Sequence, residues 1–311
     1  MRKYLITGAA GFIGSQLASK LQEAGEDVVG LDNYNDHLYD PSLKEDRVIH
    51  FGLDVRNVDL RDESKLAQLL SEENPTHIVH LAAYAGVRDS FGKEKAYHSN
   101  NIDGTQNLID LCKIHCPEVR IVYASTSCVY AGSELPWTEG NEGGKQLNPY
   151  GWSKWTNECQ FTASGLNVTG LRFFTVYGEW GRPDMALFTF TQNILDELPI
   201  TVYNYGNMKR DFTYVQDIIK GIELILEEDV KSGEIFNIGR GQQVNLMDFI
   251  TEIEKNTGKK AIKDLQPKHP ADTLETWSNT GKLESLGYHP TTSIPEGIAN
   301  FYKWYKEYNG V

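Results

Sequence analysis

The 311-residue sequence has no run long and apolar enough to span a bilayer, no glycine-rich or serine-rich tract, and nothing that calls for internal repeats. Those absences exclude a helical membrane protein and a flexible linker, and leave an ordinary globular chain. Cysteine is scarce. Cys112, Cys116, Cys128 and Cys159 form no C-x-x-C set with histidines at zinc spacing, so no metal site is expected and the thiols are expected to be free, as in a reducing compartment. Positive charge is also short, with 30 Lys and Arg against 43 Asp and Glu, a net charge of −13. Such a balance opposes binding to nucleic acid or to an anionic membrane, so an anionic ligand would need a local cluster of arginines. The opening MRKYLITG runs straight into a strand-like stretch with no signal-peptide pattern, and a cytoplasmic location is expected.

What is present alternates. Short apolar runs at Lys3 to Thr7, Asp27 to Leu31, Val48 to Gly52, His77 to Leu81, Arg120 to Ala124 and Val168 to Phe174 predict buried strands. Between them Phe12 to Ala24, Glu63 to Ser71, Lys95 to Cys112 and Pro149 to Ala163 carry helical spacing. The alternation predicts an α/β fold, a Rossmann-type doubly wound parallel sheet whose strand ends face a ligand crevice. After Gly178 the pattern breaks into the loops GEWGRPDM and YNYGNMKRDFTY. It returns with VQDIIKGIELILEE and EIFNIG, a helix and a buried strand, and with helical stretches at Leu246 to Asn256 and Pro295 to Tyr308. We expect a first domain over 1–174, with 211–240 returning to it, and a smaller mixed α/β lobe over 175–210 and 241–311.

The first strand leads into Gly8, Ala9, Ala10, Gly11, Phe12, Ile13 and Gly14, a G-x-x-G-x-x-G spacing that opens a helix. Gly8 allows the tight turn, Gly11 lets backbone N–H groups approach a pyrophosphate, and Gly14 permits close helix packing. Glycines also end strands for purely structural reasons; here the triplet stands between a strand and a helix, as dinucleotide binding demands. The second strand ends in Asp32, followed by Asn33, where a carboxylate accepts a hydrogen bond from a ribose 2′-hydroxyl and repels a 2′-phosphate. NAD is therefore the expected cofactor, and 1–174 its domain. Asp54 and Val55 are weaker candidates for the adenine end, and Leu81, Ala82 and Ala83 offer small side chains where backbone must approach the cofactor.

Tyr150 and Lys154 stand four apart in PYGWSKWTNE, so on a helix they share one face. A free phenol has a pKa of about 10, and a neighbouring ammonium favours the phenolate, which brings Tyr150 toward proton exchange near neutrality. Lys154 can also hold the nicotinamide ribose. Upstream lies a hydroxyl run after a strand, YASTSCVYA, in which Ser125, Thr126 and Ser127 can donate to an oxygen passing between alcohol and ketone. Thr126 is the preferred catalytic hydroxyl.

With these residues in place, the chain resembles the extended short-chain dehydrogenase/reductase family of nucleotide-sugar enzymes over essentially its whole length. The family's glycine motif matches Gly8, Gly11 and Gly14, its Y-x-x-x-K matches Tyr150 and Lys154, and its N-x-x-G-T asparagine matches Asn101, which is placed with the cofactor-side residues. Within the family, LRFFTVYGEWGRPDMALF, YNYGNMKRDFTYV and HLAAYAGVR resemble the UDP-glucuronate 4-epimerases. The resemblance implies that Arg182, with Ser127 and Thr175, faces a sugar carboxylate. Arg88 and Met185 would line the same region, and Arg210 would hold the diphosphate. Thr201 and Tyr203 would flank the uracil, and Asp272 would meet the uridine ribose. Arginine forks suit both anions.

Related dehydratases and decarboxylases carry an acidic residue just after the catalytic hydroxyl, where this sequence has Ser127 and Cys128. Without an acid or base there, elimination is poorly served and 4-epimerisation through a transient 4-keto sugar is the implied reaction. The alternatives are a UDP-hexose 4-epimerase, a nucleotide-sugar decarboxylase or reductase, and a catalytically silent NAD-binding regulator. The resemblance also implies a homodimer through the helices around Lys95 to Cys112 and Pro149 to Ala163. Departures from the family are Cys128 for serine, Ala131 for glycine, Thr189 where a basic residue is common, and QPKHPAD for Q-P-G-D-V.

Overall fold

The computed structural model describes residues 2–141 and 145–311. The chain forms two compact units: Met1–Gly132, Glu142–Arg172 and Ile225–Phe236 make the first, and Ser133–Asn141, Phe173–Leu224 and Asn237–Val311 the second. Of the 211–240 stretch, 225–236 counts with the first unit, the changeover falling inside the helix Val215–Glu227 where no sequence break marks it.

The first unit is built on a seven-stranded sheet. Its strands are β1 (Lys3–Thr7), β2 (Asp27–Asp32), β3 (Val55–Asn57), β4 (His77–His80), β5 (Arg120–Thr126), β6 (Asn167–Phe173) and the late segment Ile235–Ile238. Read across the sheet, the order is Ile235–Ile238, β6, β5, β4, β1, β2, β3, which reverses direction of growth between β1 and β4. The registers Lys3 with Asp27, Tyr4 with His77 and His77 with Arg120 are parallel, so β1, β2, β4 and β5 point their carboxyl ends to one edge. A doubly wound sheet places its ligand crevice at that edge, next to such a switch.

Among the described residues the α-helices that accompany the sheet include α1 (Phe12–Glu23), α2 (Ser42–Phe51), α3 (Glu63–Glu73), α4 (Glu94–Tyr97), α5 (Gly104–His115) and α6 (Pro149–Ala163). Leu66 and Leu69 of α3, Leu108 and Ile109 of α5 and Phe161 of α6 close over Leu5, Leu31, Ile78 and Ile121 of the strands as one apolar core. Helix starts are written in the sequence where a side chain caps them. Asp62 accepts from Lys65 N–H at 3.1 Å before α3, and Asn148 from Gly151 N–H at 2.7 Å before α6, with Pro149 at the first helical position.

One expected strand is a helix. Val48 to Gly52 completes α2, whose Leu43, Lys44 and Arg47 are buried, and Gly52 ends it in the left-handed conformation at φ 61°. A short apolar run next to glycine reads the same way for a buried strand end and for the last turn of a helix. The third strand begins only at Val55.

The second unit contains β7 (Thr175–Tyr177), β8 (Pro199–Tyr203), β9 (Lys209–Arg210) and β10 (Phe212–Tyr214), with α7 (Ala186–Leu195), α8 (Val215–Glu227), α9 (Leu246–Thr257) and the terminal helix Ile294–Asn309. Strands pair two by two: β10 with β7, β9 with Val244–Asn245, and β8 with Ile262–Gln266. Its core is aromatic. Phe212 stacks on Phe249 at 4.0 Å, and Tyr177, Phe188 and Phe301 join the same cluster. Among the described residues no helix is long and apolar enough to cross a membrane.

Candidate active site

The parallel registers bring Gly8 after β1, Asp32 at the end of β2, Leu81 to Ala83 after β4 and Thr126 at the end of β5 to one edge of the sheet. The glycine loop there is packed backbone on backbone. Gly8 has φ +74°, and a Cβ on it would lie 2.8 Å from Ala82 N; a Cβ on Gly14 would lie 2.2 Å from the Gly8 carbonyl oxygen. No side chain fits at either position. Helix α1 starts at Gly11 without a side-chain cap, so Phe12, Ile13 and their neighbours present main-chain N–H groups where a phosphate would find them. These residues fit a dinucleotide.

Asp32 is buried, its Oδ1 accepting from Tyr34 N–H at 2.9 Å with Lys44 Nζ 3.6 Å away. Asn33 donates from Nδ2 to Asp59 Oδ2 at 2.9 Å. Asp54 does not belong to this group. It precedes β3, at the opposite end from Asp32, since Gly30 pairs with Val55 and Asp32 with Asn57. There it forms an exposed two-point pair with Arg56 at 3.1 Å, and Val55 starts the strand at that far end. The acid on the ligand side is Asp59, gripped by Arg61 at 2.9 and 2.6 Å, whose hydrogen bonds hold the carboxyl well below the ordinary range despite partial burial. Counting from a strand that begins after α2 rather than within it would have found Asp59 in VDLRD.

Two cations of α2 also escaped the sequence reading. Lys44 pairs with Asp32, and fully buried Arg47 donates to the Ala10 carbonyl at 3.2 Å and to the Tyr39 hydroxyl at 2.9 Å, tying α2 to the glycine loop. Their helical periodicity was the available signal.

Asn101 lies in a π-helical segment, His98–Asp103, between α4 and α5. Its Oδ1 accepts from Tyr84 N–H at 2.7 Å and from Asn100 at 3.0 Å, and its Nδ2 donates to the Tyr84 carbonyl and to Ser153 Oγ, both at 2.9 Å. Ser153 Oγ in turn donates to the Tyr150 carbonyl at 2.8 Å. With its amide engaged on every side, Asn101 joins the loop after β4 to the turn of α6 that carries Tyr150.

Tyr150 and Lys154 occupy the first two turns of α6, and the Tyr150 ring meets Tyr97 edge-on at 6.3 Å. Lys154 is buried. Desolvation lowers its pKa from 10.5 to about 8, with the charge of Glu158 working the other way. His80, buried under the same region, is driven down to about 3 by burial and then by the Lys154 charge, so it is neutral; its ring nitrogens meet Thr7 Oγ1 at 2.8 Å and Thr105 Oγ1 at 3.1 Å.

The hydroxyl run divides its labour. Ser125 donates to Glu158 Oε1, and Glu158 is gripped by Arg172 at 2.9 and 2.7 Å, so Ser125 belongs to a buried structural network. Thr126 Oγ1 accepts from Cys128 N–H at 3.2 Å, which leaves its own proton to donate. Ser127 opens the short helix Ser127–Tyr130, and Arg88 is exposed in the turn after β4.

In the second unit Thr175 begins β7, its N–H donating to the Asp211 carbonyl at 3.1 Å. Arg182 pairs with Asp184 two residues on, and Met185 caps α7. Thr201 and Tyr203 lie on one face of β8, with the Tyr203 ring against His269 at 5.8 Å. Arg210 donates to the Leu274 carbonyl at 3.0 Å, and Asp272 is buried, its N–H donating to the His269 carbonyl at 3.0 Å. Among the described residues no cluster of His, Cys, Asp or Glu is arranged to hold a metal.

The chain is similar, at 39% identity over 98% of its length and 77% of the relative's, to UDP-glucuronate 4-epimerase 1 of Arabidopsis thaliana. Among solved structures it superimposes on UDP-glucuronic acid 4-epimerase from Bacillus cereus, in complex with UDP-glucuronic acid and NAD, with a TM-score of 0.91, 34% identity and coverage of 98% and 99% of the two chains. UDP-glucose 4-epimerase from Thermotoga maritima, with UDP-glucose, gives a TM-score of 0.89 at 25% identity over 99% of both chains. The model of the NAD dependent epimerase/dehydratase family matches residues 4–239, and the chain belongs to that family.

Proposed function

We propose that this protein is a 4-epimerase that interconverts UDP-glucuronate and UDP-galacturonate with resident NAD. The observation that carries the reading is Thr126, Tyr150 and buried Lys154 beside a Ser127–Cys128 pair that offers no acid for elimination. Similarity to UDP-glucuronate 4-epimerases over nearly the whole chain supports the sugar.

In this reading NAD, held by the glycine loop, Asp32 and Lys154, supplies a reversible hydride acceptor at carbon 4. Tyr150 takes the proton of the 4-hydroxyl, while Lys154 favours the phenolate and Thr126 donates to the same oxygen. The chain then lets the 4-keto sugar present its other face, and Tyr150 returns the proton. Arg182 and Thr175 hold the carboxylate, Arg210 the diphosphate, Tyr203 and Thr201 the uracil, and Asp272 the ribose. A 4-keto uronate is a β-keto acid, so a carboxylate fixed by Arg182 also opposes loss of carbon dioxide.

A cytoplasmic homodimer completes the proposal, supported by the exposed Trp152 and Trp155 on α6. The test is purified protein with UDP-glucuronate and no added NAD, products resolved by chromatography and NMR. UDP-galacturonate is expected. UDP-xylose or a 4-keto pentose would replace the reading by decarboxylation, and turnover of UDP-glucose alone would make the substrate a neutral hexose, as the likeness to the Thermotoga enzyme allows.

A further inference from the structure

Helix α2 sets a lysine beside the acid that ends β2. The Lys44 and Asp32 side chains are 8% and 7% exposed, and Lys44 Nζ stands 3.6 Å from Asp32 Oδ1, beyond hydrogen-bond reach. Oδ1 already accepts from Tyr34 N–H at 2.9 Å. The centre of the Tyr39 ring lies 5.8 Å from Nζ. Among the described residues Lys44 Nζ donates no hydrogen bond and Asp32 Oδ2 accepts none.

Burying an ammonium whose three donors are unused is costly, and a ligand oxygen would relieve that cost. Any group that reaches the Asp32 carboxylate also comes within reach of Lys44. Helix α2 is fixed for this task, because Arg47 donates to the Ala10 carbonyl of the glycine loop at 3.2 Å. As a unit the pair is neutral, so its two members set opposite preferences. With both present, a ribose 2′-hydroxyl can donate to Asp32 Oδ2, whereas an anionic 2′-phosphate is repelled by the carboxylate. Without the charge of Asp32 the same phosphate meets an ammonium and no counter-charge.

We propose that Lys44 is a specificity-determining residue of the cofactor site: neutralised by Asp32 it leaves the site selective for NAD, and without that carboxylate it holds the 2′-phosphate of NADP. The inference rests on the proposed placement of the adenosine ribose at Asp32.

The test is nucleotide exchange on the purified holoprotein. Wild type and variants are equilibrated with equal excesses of NAD and NADP until the bound ratio is constant, freed of unbound nucleotide and denatured. The released dinucleotides are quantified by chromatography, and melting curves are recorded with each nucleotide. Asp32→Asn keeps an acceptor for Tyr34 N–H, and Asp32→Ser, run in parallel, removes the charge with a smaller side chain. Wild type is expected to retain NAD, and Asp32→Asn to raise the NADP-to-NAD ratio by roughly ten- to hundredfold, the range of one hydrogen bond to a charged group. Asp32→Asn combined with Lys44→Met should return most of that gain, and NADP should raise the melting temperature of the single variant but not of the double one. A double variant that holds NADP as well as Asp32→Asn does would overturn the role of Lys44, as would Asp32→Asn and Asp32→Ser proteins that fold but take up no NADP. A wild-type protein that takes up NADP as readily as NAD would instead overturn the placement of the ribose at Asp32, and the inference with it.

Discussion

Two arginine–carboxylate forks of nearly the same geometry, one from each unit, bear comparison. Arg172 grips Glu158 at 2.9 and 2.7 Å in the first, and Arg182 grips Asp184 at 3.0 and 2.6 Å in the second. Their surroundings differ. The Arg172 and Glu158 side chains are 2% and 6% exposed, and Ser125 and the Tyr130 ring, 4.7 Å from the guanidinium, join that network. Nothing is left over for a ligand. The second fork keeps contact with solvent, its side chains 19% and 27% exposed. Burial, not hydrogen-bond geometry, sets how much such a pair matters to the stability of the fold.

The comparison breaks most visibly at the buried fork. Arg172→Met leaves Glu158 charged in the core without its arginine, and should cost on the order of 3–5 kcal/mol in urea or thermal unfolding. The double change Arg172→Met with Glu158→Leu should recover much of that loss, because it removes both desolvated charges together. A single variant that loses less than about 1 kcal/mol would mean that burial does not separate the two forks.

Lys154 is the third case, a buried cation one helical turn from Glu158, whose oxygens are already engaged by Arg172 and Ser125. Its pKa falls from 10.5 to about 8, so the folded state disfavours its charged form. Between about pH 8 and 10.5 the unfolded chain binds the extra proton, and wild-type stability rises with pH through that window. Lys154→Met should therefore abolish turnover yet stabilise the protein by on the order of 3 kcal/mol below pH 8. That gain should shrink as pH rises toward 10.5. A stability gap that is the same at both ends of the window would show that Lys154 carries no such cost.

The two units were unequally readable from sequence. In the first, glycine spacing, strand ends and the four-residue step from Tyr150 to Lys154 each express a local backbone rule, and the alternation of β1, β2, β4 and β5 with helices sets where those residues emerge. The failure was also local. The apolar VIHFG looked like a strand, and that slip shifted the acidic position from Asp59 to Asp54 and hid Lys44 and Arg47. Burial of polar groups was not readable: that Ser125 serves Glu158 while Thr126 does not follows from partners 33 residues apart in sequence. In the second unit, paired strands such as β8 with Ile262–Gln266 join distant segments, so no local period announces that Tyr203 lies near His269. Resemblance, rather than pattern, supplied its candidates.

The smallest expected effect belongs to the exposed fork. Asp184→Ala removes a partly exposed pair whose members are two residues apart, in a turn closed by Met185 N–H on the Arg182 carbonyl and held to α7 by Thr189 Oγ1 on the Pro183 carbonyl. Stability should change by less than about 1 kcal/mol, and the change should shrink further in high salt because solvent and ions screen the pair. If Asp184→Ala melted as early as Arg172→Met, the second fork would be scaffold like the first, and exposure would be no guide to what such a pair contributes.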